Sequence, residues 1–149
     1  MKYLQGMSVE KDFEMSVSEV VTHGYIVICI YRSPDGNFRV FLNNLELIIQ
    51  KIQSKRKKIL LCGDWNLNFL IDNTRLLELE NLLLSYDLIN TVNSPTRITS
   101  SSESLIDVIV TNKEYLDQST TVIDLDLSDH LAQLIRIRSR KKKQHNKNY

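Results

Sequence analysis

The sequence contains no apolar run of the roughly 18 residues that a transmembrane helix requires. Its first 15 residues, MKYLQGMSVEKDFEM, hold no continuous apolar segment of signal-peptide length, which argues against secretion. Only two cysteines are present, Cys29 and Cys62, and no CxxC motif or paired histidines accompany them. We therefore expect an intracellular protein with two buried free thiols, without a disulfide framework, a zinc site or a membrane partner.

Acidic residues are absent from the segment 136–149, which carries seven of the 19 Lys and Arg residues. The remaining 12 basic residues face all 18 acidic ones, so the net charge of +1 hides an acidic body and a basic end. A basic end can attract phosphate or an anionic partner, but a solvated terminus is the simpler interpretation. We expect one domain over 1–138 and a disordered basic tail over 139–149.

The hydrophobic pattern of this chain alternates between strand and helix periods. A length of 149 residues, 42% of them apolar and 25% charged, is typical of a single globular domain. The continuously apolar segment 25–31 predicts a strand covered on both faces, and 93–104 reads as a polar loop. The complete prediction is a mixed α/β domain with strands near 12–21, 25–31, 59–62, 105–111, 121–127 and 131–138, and helices near 38–55 and 74–85.

The first polar motif, Gly63-Asp64-Trp65-Asn66, directly follows a short apolar strand. In an extended segment, Asp64 and Asn66 share one side of the chain. There the carboxylate can accept a proton from water, and the amide can donate to a phosphate oxygen. By itself, however, the motif is also what a simple turn after a strand looks like, because Asp and Asn are common turn residues.

Two further polar groups fall at strand positions. Asp107 lies inside an apolar strand, and a buried carboxylate needs a partner or a metal ion. Asp129 and His130 are adjacent before the last strand, so their side chains point in different directions, and His130 is the obvious partner for Asp107. Acids and a histidine so arranged can bind a divalent cation and attack a phosphodiester. The alternative is a solvent-facing Asp107 and an ordinary Ser128-Asp129-His130 loop.

Five short motifs occur in a fixed order: IYRSP at 30–34, ILLCGDWN at 59–66, SPTRI at 94–98, SLIDVI at 104–109 and LSDH at 127–130. Together they resemble the endonuclease/exonuclease/phosphatase superfamily, whose fold is that of deoxyribonuclease I. More specifically, they resemble the endonuclease domain of LINE-type (non-LTR) retrotransposons. The resemblance runs from about Asp12 to Ile137 and implies a two-sheet α/β sandwich, of which this chain holds the C-terminal two-thirds.

The resemblance also implies roles for particular residues, an Mg²⁺ cofactor with Mn²⁺ as a substitute, and DNA, in the nucleus, as the partner. Tyr31 would contact phosphate, although Arg32-Ser33-Pro34 is one residue longer than the family's Tyr-x-Pro form, and a tyrosine at the core margin is an equal alternative. The other implied roles are nucleophile activation and phosphate contact for Asp64 and Asn66, orientation of the histidine for Asp107, metal binding for Asp129, and catalysis for His130.

The sequence departs from the family before Tyr31, where the family carries a metal-binding Asn and a metal-binding Glu. Glu10, Glu14 and Glu19 are present, but none follows a buried strand. We therefore expect an N-terminally truncated domain of weak or no activity. An Mg²⁺-dependent endonuclease that nicks DNA is the first interpretation. A non-catalytic nucleic-acid-binding or interaction remnant and, further off, a small-phosphoester phosphatase are the alternatives. A reverse-transcriptase motif is absent from this sequence.

Overall fold

The computed structural model describes residues 4, 6–9, 11–113 and 118–137. Within this part of the chain no helix has both the length and the apolar character to cross a bilayer. The helices and strands, in chain order, are β1 (Phe13–Val20), β2 (Tyr25–Arg32), α1 (Phe38–Gln53), β3 (Lys58–Asp64), α2 (Thr74–Ser85), β4 (Leu88–Asn90), β5 (Arg97–Ile98), β6 (Glu103–Ser104), β7 (Asp107–Asn112), β8 (Gln118–Ile123) and β9 (Ala132–Ile137).

Five strands form the main sheet, in the order β1-β2-β3-β7-β4. Strands β2 and β3 are parallel and are joined through α1, whereas β1, β7 and β4 pair antiparallel to their neighbours. Two smaller antiparallel pairs, β5–β6 and β8–β9, lie outside this sheet. This topology brings the carboxyl ends of β2 and β3 and the beginning of β7 to the same edge, where the polar motifs fall.

The core lies between one face of the main sheet and the two helices. Helix α1 begins where the Asn37 side chain accepts hydrogen bonds from two backbone amides of the first turn, and the Asn73 side chain caps α2 by accepting one, from the Leu76 amide. Burial of each large apolar side chain stabilises the fold by about 1.5–3 kcal/mol. Helix α1 contributes seven such side chains at the spacing of one helical face: Phe38, Phe41, Leu42, Leu45, Ile48, Ile49 and Ile52.

The opposite face of the main sheet is only partly covered. Val122 and Ile135 of the β8–β9 hairpin pack against the core, while Cys29 on β2 is exposed and Cys62 on β3 is half-buried. The predictions of a strand covered on both faces and of two buried thiols are therefore wrong. The physical reason is that the β8–β9 hairpin covers this face only in part, which leaves Cys29 open to solvent.

Most elements lie where the hydrophobic periodicity predicts them. Helix α2 has the predicted bounds, and α1 ends two residues early. Strand β8 is wrongly placed by the prediction, which put it at 121–127. It ends at Ile123 because the Asp126 amide donates to Asp124 Oδ1 at 2.8 Å and Asp126 adopts a φ of 57°, which together form a turn. Strands β4, β5 and β6 were not predicted, and the predicted tail over 139–149 lies outside the described residues.

Candidate active site

Two carboxylates face each other at the edge of the main sheet. Asp64 ends β3, Asp107 begins β7, and the two residues are direct partners in the antiparallel ladder. Gly63, just before Asp64, has a φ of +124°, and a Cβ there would lie 2.1 Å from the carbonyl oxygen of Ile30. Only glycine fits this position. The close approach of β3 to β2 thus fixes where Asp64 stands.

His130 joins the two carboxylates from the second layer. Its Nδ1 lies 2.9 Å from Asp107 Oδ2, and ligand atoms of Asp64, Asp107 and His130 all lie within 4.8 Å of one another. The Asp107 residue is only 9% exposed. The predicted contact between Asp107 and His130 is therefore confirmed, and the two carboxylates and one imidazole form a cluster, hereafter the acid–histidine cluster.

The charges of the acid–histidine cluster are unbalanced towards the negative. Burial raises the pKa of Asp64, and the neighbouring Asp107 carboxylate raises it further. The Asn66 backbone amide, His130 and Arg97 act in the opposite direction without cancelling the shift. The ionised form of Asp64 is consequently destabilised in the folded chain, and a nearby cation would stabilise it.

We expect Asp64→Asn to raise the melting temperature at pH 7. An acid whose pKa is raised on folding favours the fold most below its unfolded-state pKa, and that contribution is lost as pH rises through the folded value. The neutral amide removes this loss, so the difference between wild type and variant should shrink below pH 4. Thermal denaturation at pH 4 and pH 7 measures it. A lower melting temperature for the variant at pH 7 would contradict the electrostatic account.

Arg32 fixes the conformation of the loop that follows Asp64, a role that the sequence analysis does not predict. Its guanidinium is 2% exposed and donates to the carbonyl oxygens of Trp65 at 2.7 Å and Asn66 at 2.8 Å. Burial lowers the pKa of this arginine, with a further decrease from Arg75. A charged residue at the end of a strand normally predicts a side chain that is exposed to solvent. Here, two backbone carbonyls replace the water that Arg32 loses.

Asn66 does not occupy the extended segment that was predicted. Its φ of 46° is left-handed, its backbone amide donates to Asp64 Oδ1 at 3.0 Å, and its side-chain Nδ2 donates to the Arg32 carbonyl oxygen at 2.8 Å. The prediction that Asp64 and Asn66 share one side of an extended chain is wrong, because the bonds with Arg32 fold the loop back on β2. The side-chain amide of Asn66 is thus bonded to the backbone of β2, and its backbone amide to Asp64.

Thr96 connects the segments that carry Asp107 and His130, and it too was missed. The residue is fully buried, and its Oγ1 accepts hydrogen bonds from the backbone amides of Ile106 at 3.1 Å and Asp107 at 3.0 Å. Its carbonyl oxygen accepts from the Leu131 amide at 2.7 Å. The SPTRI motif therefore serves as a brace between β7 and the loop before β9.

We expect Thr96→Val to lower the free energy of unfolding by about 1–3 kcal/mol, because a methyl group of similar size leaves two buried amides without an acceptor. Urea denaturation measures the loss. Thr96→Ser keeps the oxygen and is the matched control, with a smaller loss from the missing methyl group. Equal losses in the two variants would show that packing, and not the hydroxyl, stabilises this brace.

Asp129 lies beside the acid–histidine cluster but is engaged elsewhere. Its Oδ2 accepts from Arg97 Nε at 2.7 Å, in an ion pair whose side chains are 42% and 43% exposed. The hydrogen bond from Arg97 lowers the pKa of Asp129. Among the described residues, the group that could hold a metal ion comprises Asp64, Asp107 and His130, without Asp129. Metal binding through Asp129 stays a prediction and requires Arg97 to move.

Tyr31 stands at the same strand edge. Cys29 and Cys62 are register partners in the parallel pair β2–β3, so Tyr31 and Asp64, each two residues further along, point to the same face. The Tyr31 side chain is 49% exposed. Tyr31 therefore lies at the strand edge that carries Asp64, with its side chain open to solvent, and its contact with phosphate stays a prediction.

This two-layer α/β fold is shared with solved structures of nucleases and phosphatases. The endonuclease domain of TRAS1, a telomere-specific non-LTR retrotransposon, is 23% identical with a TM-score of 0.68, over 85% of this chain and 64% of that one. The 3′ phosphatase NExo from Neisseria is 14% identical with a TM-score of 0.61, over 89% and 72%. The Xenopus laevis APE2 catalytic domain is 15% identical, with a TM-score of 0.55, over 87% and 57%.

These likenesses confirm the predicted deoxyribonuclease I-like α/β sandwich, and a family model supports the predicted endonuclease/exonuclease/phosphatase superfamily. The chain belongs to the family described as endonuclease-reverse transcriptase, whose family model matches residues 25–134. No curated protein matches this sequence. The chain spans less than two-thirds of the length of the retrotransposon endonuclease domain that it resembles.

Proposed function

We propose that this chain is the C-terminal part of a metal-dependent endonuclease that nicks DNA, within a retrotransposon-type protein. The observation that carries the proposal is the 2.9 Å bond between Asp107 and His130, beside Asp64 at the same strand edge. Two carboxylates brought close together repel each other and destabilise the fold. A loop with a purely structural role would therefore not be expected to contain such a cluster. Phosphodiester hydrolysis, in contrast, uses a base, a proton-handling histidine and a cation in one place.

The side chains of the acid–histidine cluster divide this chemistry between them. Asp64 accepts the proton of the attacking water. His130 is held through Nδ1 by Asp107, which leaves its Nε2 to handle a proton at a phosphate oxygen. Asn66 has a second amide hydrogen to donate to a phosphate oxygen, and the exposed Tyr31 hydroxyl can reach another phosphate oxygen.

A divalent cation fits the donors at this edge. When bound, Mg²⁺ or Mn²⁺ would polarise the phosphate and neutralise the charge that develops on it. Carboxylate oxygens are the ligands that these ions prefer, and Asp64 and Asp107 supply them. Asp129 becomes a third oxygen donor once Arg97 turns towards solvent or towards a phosphate of the substrate.

The contribution of Asp129 can be measured without any activity assay. We expect Mg²⁺ to raise the melting temperature of the wild type more than that of Asp129→Ala, which lacks the ligand. Arg97→Ala should show a larger Mg²⁺ shift than the wild type, because Asp129 is released from its ion pair. Arg39→Ala, which breaks a different surface ion pair with Glu78, is the control. Equal shifts in all four proteins would show that the metal does not bind through Asp129.

A non-catalytic remnant that only binds nucleic acid is the second candidate. Two observations favour it: the Asn66 amide and the Asp129 carboxylate are both bonded to other parts of the chain. The endonuclease proposal accounts for the same observations if a preceding segment adds the remaining metal ligand and displaces Arg97. In that case the 149-residue chain alone nicks DNA weakly or not at all.

Conversion of supercoiled plasmid to open circles separates these functions. We expect weak nicking by the 149-residue chain and much faster nicking by a protein extended with the in-frame sequence encoded upstream of Met1, with EDTA stopping both. DNA binding without nicking by either protein would favour the remnant. Release of phosphate from a small phosphoester, with the plasmid left intact, would favour the phosphatase.

A further inference from the structure

The two cysteines of the chain lie side by side on the open face of the main sheet. Cys29 on β2 and Cys62 on β3 are register partners in the parallel pair. Neighbouring strands run about 4.8 Å apart, and residues in register point to the same face. The two Cα atoms therefore have a spacing within the range of about 4.4–6.8 Å that disulfides span. The chain has no other cysteine.

The two cysteines are exposed to solvent to different degrees. Cys29 is exposed, while Cys62 is half-buried beside it. A reagent in solution thus meets the Cys29 sulfur first, and the Cys62 sulfur is already within reach of whatever forms there.

The pair lies outside the chemistry of the acid–histidine cluster. Each cysteine is two residues before a residue of the strand edge, Cys29 before Tyr31 and Cys62 before Asp64, and on the same face. Neither thiol takes part in the roles described for Asp64, Asp107 and His130. Cys62 packs against the core, whereas Cys29 beside it is open to solvent.

We propose that Cys29 and Cys62 form a redox-modification site, in which a peroxide converts the two thiols to a disulfide between β2 and β3. The Cys29 sulfur attacks one peroxide oxygen, the O–O bond breaks, and water leaves as a sulfenic acid forms. The Cys62 sulfur then attacks the Cys29 sulfur, the S–O bond breaks, and a second water leaves. Two thiols lose two electrons in total, and one hydrogen peroxide is reduced to two waters.

Such a disulfide would link two strands of a sheet directly below the strand edge that carries Tyr31 and Asp64. Exposed disulfides are among the more easily reduced ones, so a dithiol reductant would restore the pair. The proposal concerns the modification site alone, and it holds whether or not the acid–histidine cluster is catalytic.

The test is peroxide treatment of the purified, fully reduced 149-residue chain, followed by intact-mass measurement and thiol counting with a maleimide. We expect a monomer that is about 2 Da lighter and takes up no maleimide, with both thiols returning after dithiothreitol. Because the fold holds the sulfurs together, disulfide formation in strong denaturant should be slower by roughly tenfold or more. Cys62→Ser should stop at a Cys29 sulfenic acid, which dimedone traps, and Cys29→Ser should react slowly.

Several results would overturn the proposal. A wild-type product that is only a sulfinic acid or a disulfide-linked dimer would show that the two sulfurs do not meet. Equal rates in the folded and the denatured chain would show that the fold does not bring them together. Both decisions rest on the wild-type chain, so they stand even if a serine variant fails to fold.

Discussion

Replacing His130 by alanine is expected to lower DNA nicking by about 10²–10⁴-fold, the usual contribution of a group that transfers a proton in the transition state. The loss should appear in kcat, because the imidazole acts on charge that develops during the reaction. The imidazole is 35% exposed, but it is the partner of the buried Asp107 carboxylate, so the free energy of unfolding should also fall, by about 1–3 kcal/mol. The assay is plasmid nicking at saturating Mg²⁺, in the upstream-extended protein, where activity is highest.

His23→Ala is the matched control for this variant. His23 is exposed and hydrogen-bonded to Thr22 at the turn between β1 and β2, away from the strand edge. It should nick DNA at the wild-type rate. Asp107→Asn should resemble the His130 variant more closely than the control, because it removes the carboxylate that holds Nδ1. Unchanged nicking by His130→Ala would remove this residue from the mechanism and with it the basis of the proposed function.

Replacing Arg32 by methionine is expected to lower the free energy of unfolding by about 2–4 kcal/mol. Two carbonyl oxygens, of Trp65 and Asn66, would lose their donor, at about 1–3 kcal/mol each. Part of that loss is offset because a buried charge is removed as well. Urea denaturation measures the total. The chain has a single tryptophan, Trp65, which packs edge-on against Phe41, so its fluorescence reports the loop directly.

Arg32→Lys distinguishes charge from geometry at this position. A lysine keeps the positive charge but cannot present the fork of donors that reaches two carbonyls at once. We expect it to destabilise the chain nearly as much as methionine and to change the Trp65 emission. Recovery of wild-type stability by lysine would show that Arg32 acts through its charge on Asp64 and not through the loop carbonyls.

The sequence predicts those elements whose cause is local. Helix α2 is fully specified by its own leucine spacing and by Asn73 before it. The partnership of Asp107 with His130 also follows from the sequence, because a carboxylate inside an apolar strand needs a partner and few candidates exist. The predicted end of strand β8 is wrong for an equally local reason. Alternating Asp and Leu residues after Ile123 resemble a strand, but the Asp124 side chain accepts a hydrogen bond from the Asp126 amide, and the chain turns there.

The roles of Arg32, Thr96 and Arg97 depend on contacts that local periodicity does not contain. Arg32 meets carbonyls more than 30 positions away in the chain, and Arg97 meets Asp129 at a separation of 32. Arginine and threonine are ordinarily found at the surface or in loops. Thr96 and Arg97 lie in the segment 93–104, which the sequence predicts to be a polar loop. Their importance appears only when the sheet topology brings distant segments to one edge.

His130 belongs to the second layer, whereas Asp64 and Asp107 belong to the five-stranded sheet. On heating, the site can therefore be lost in two ways, by local opening of the second layer or by unfolding of the whole domain. A two-stranded hairpin such as β8–β9 is only marginally stable by itself. Backbone hydrogen bonds to segment 96–98 help to fix the loop that carries His130. Local opening there would withdraw the imidazole while the main sheet stays folded. Amide protons of β8 and β9 should therefore exchange with deuterium faster than those of β3 and β7, and thermal inactivation should begin below the temperature of global unfolding.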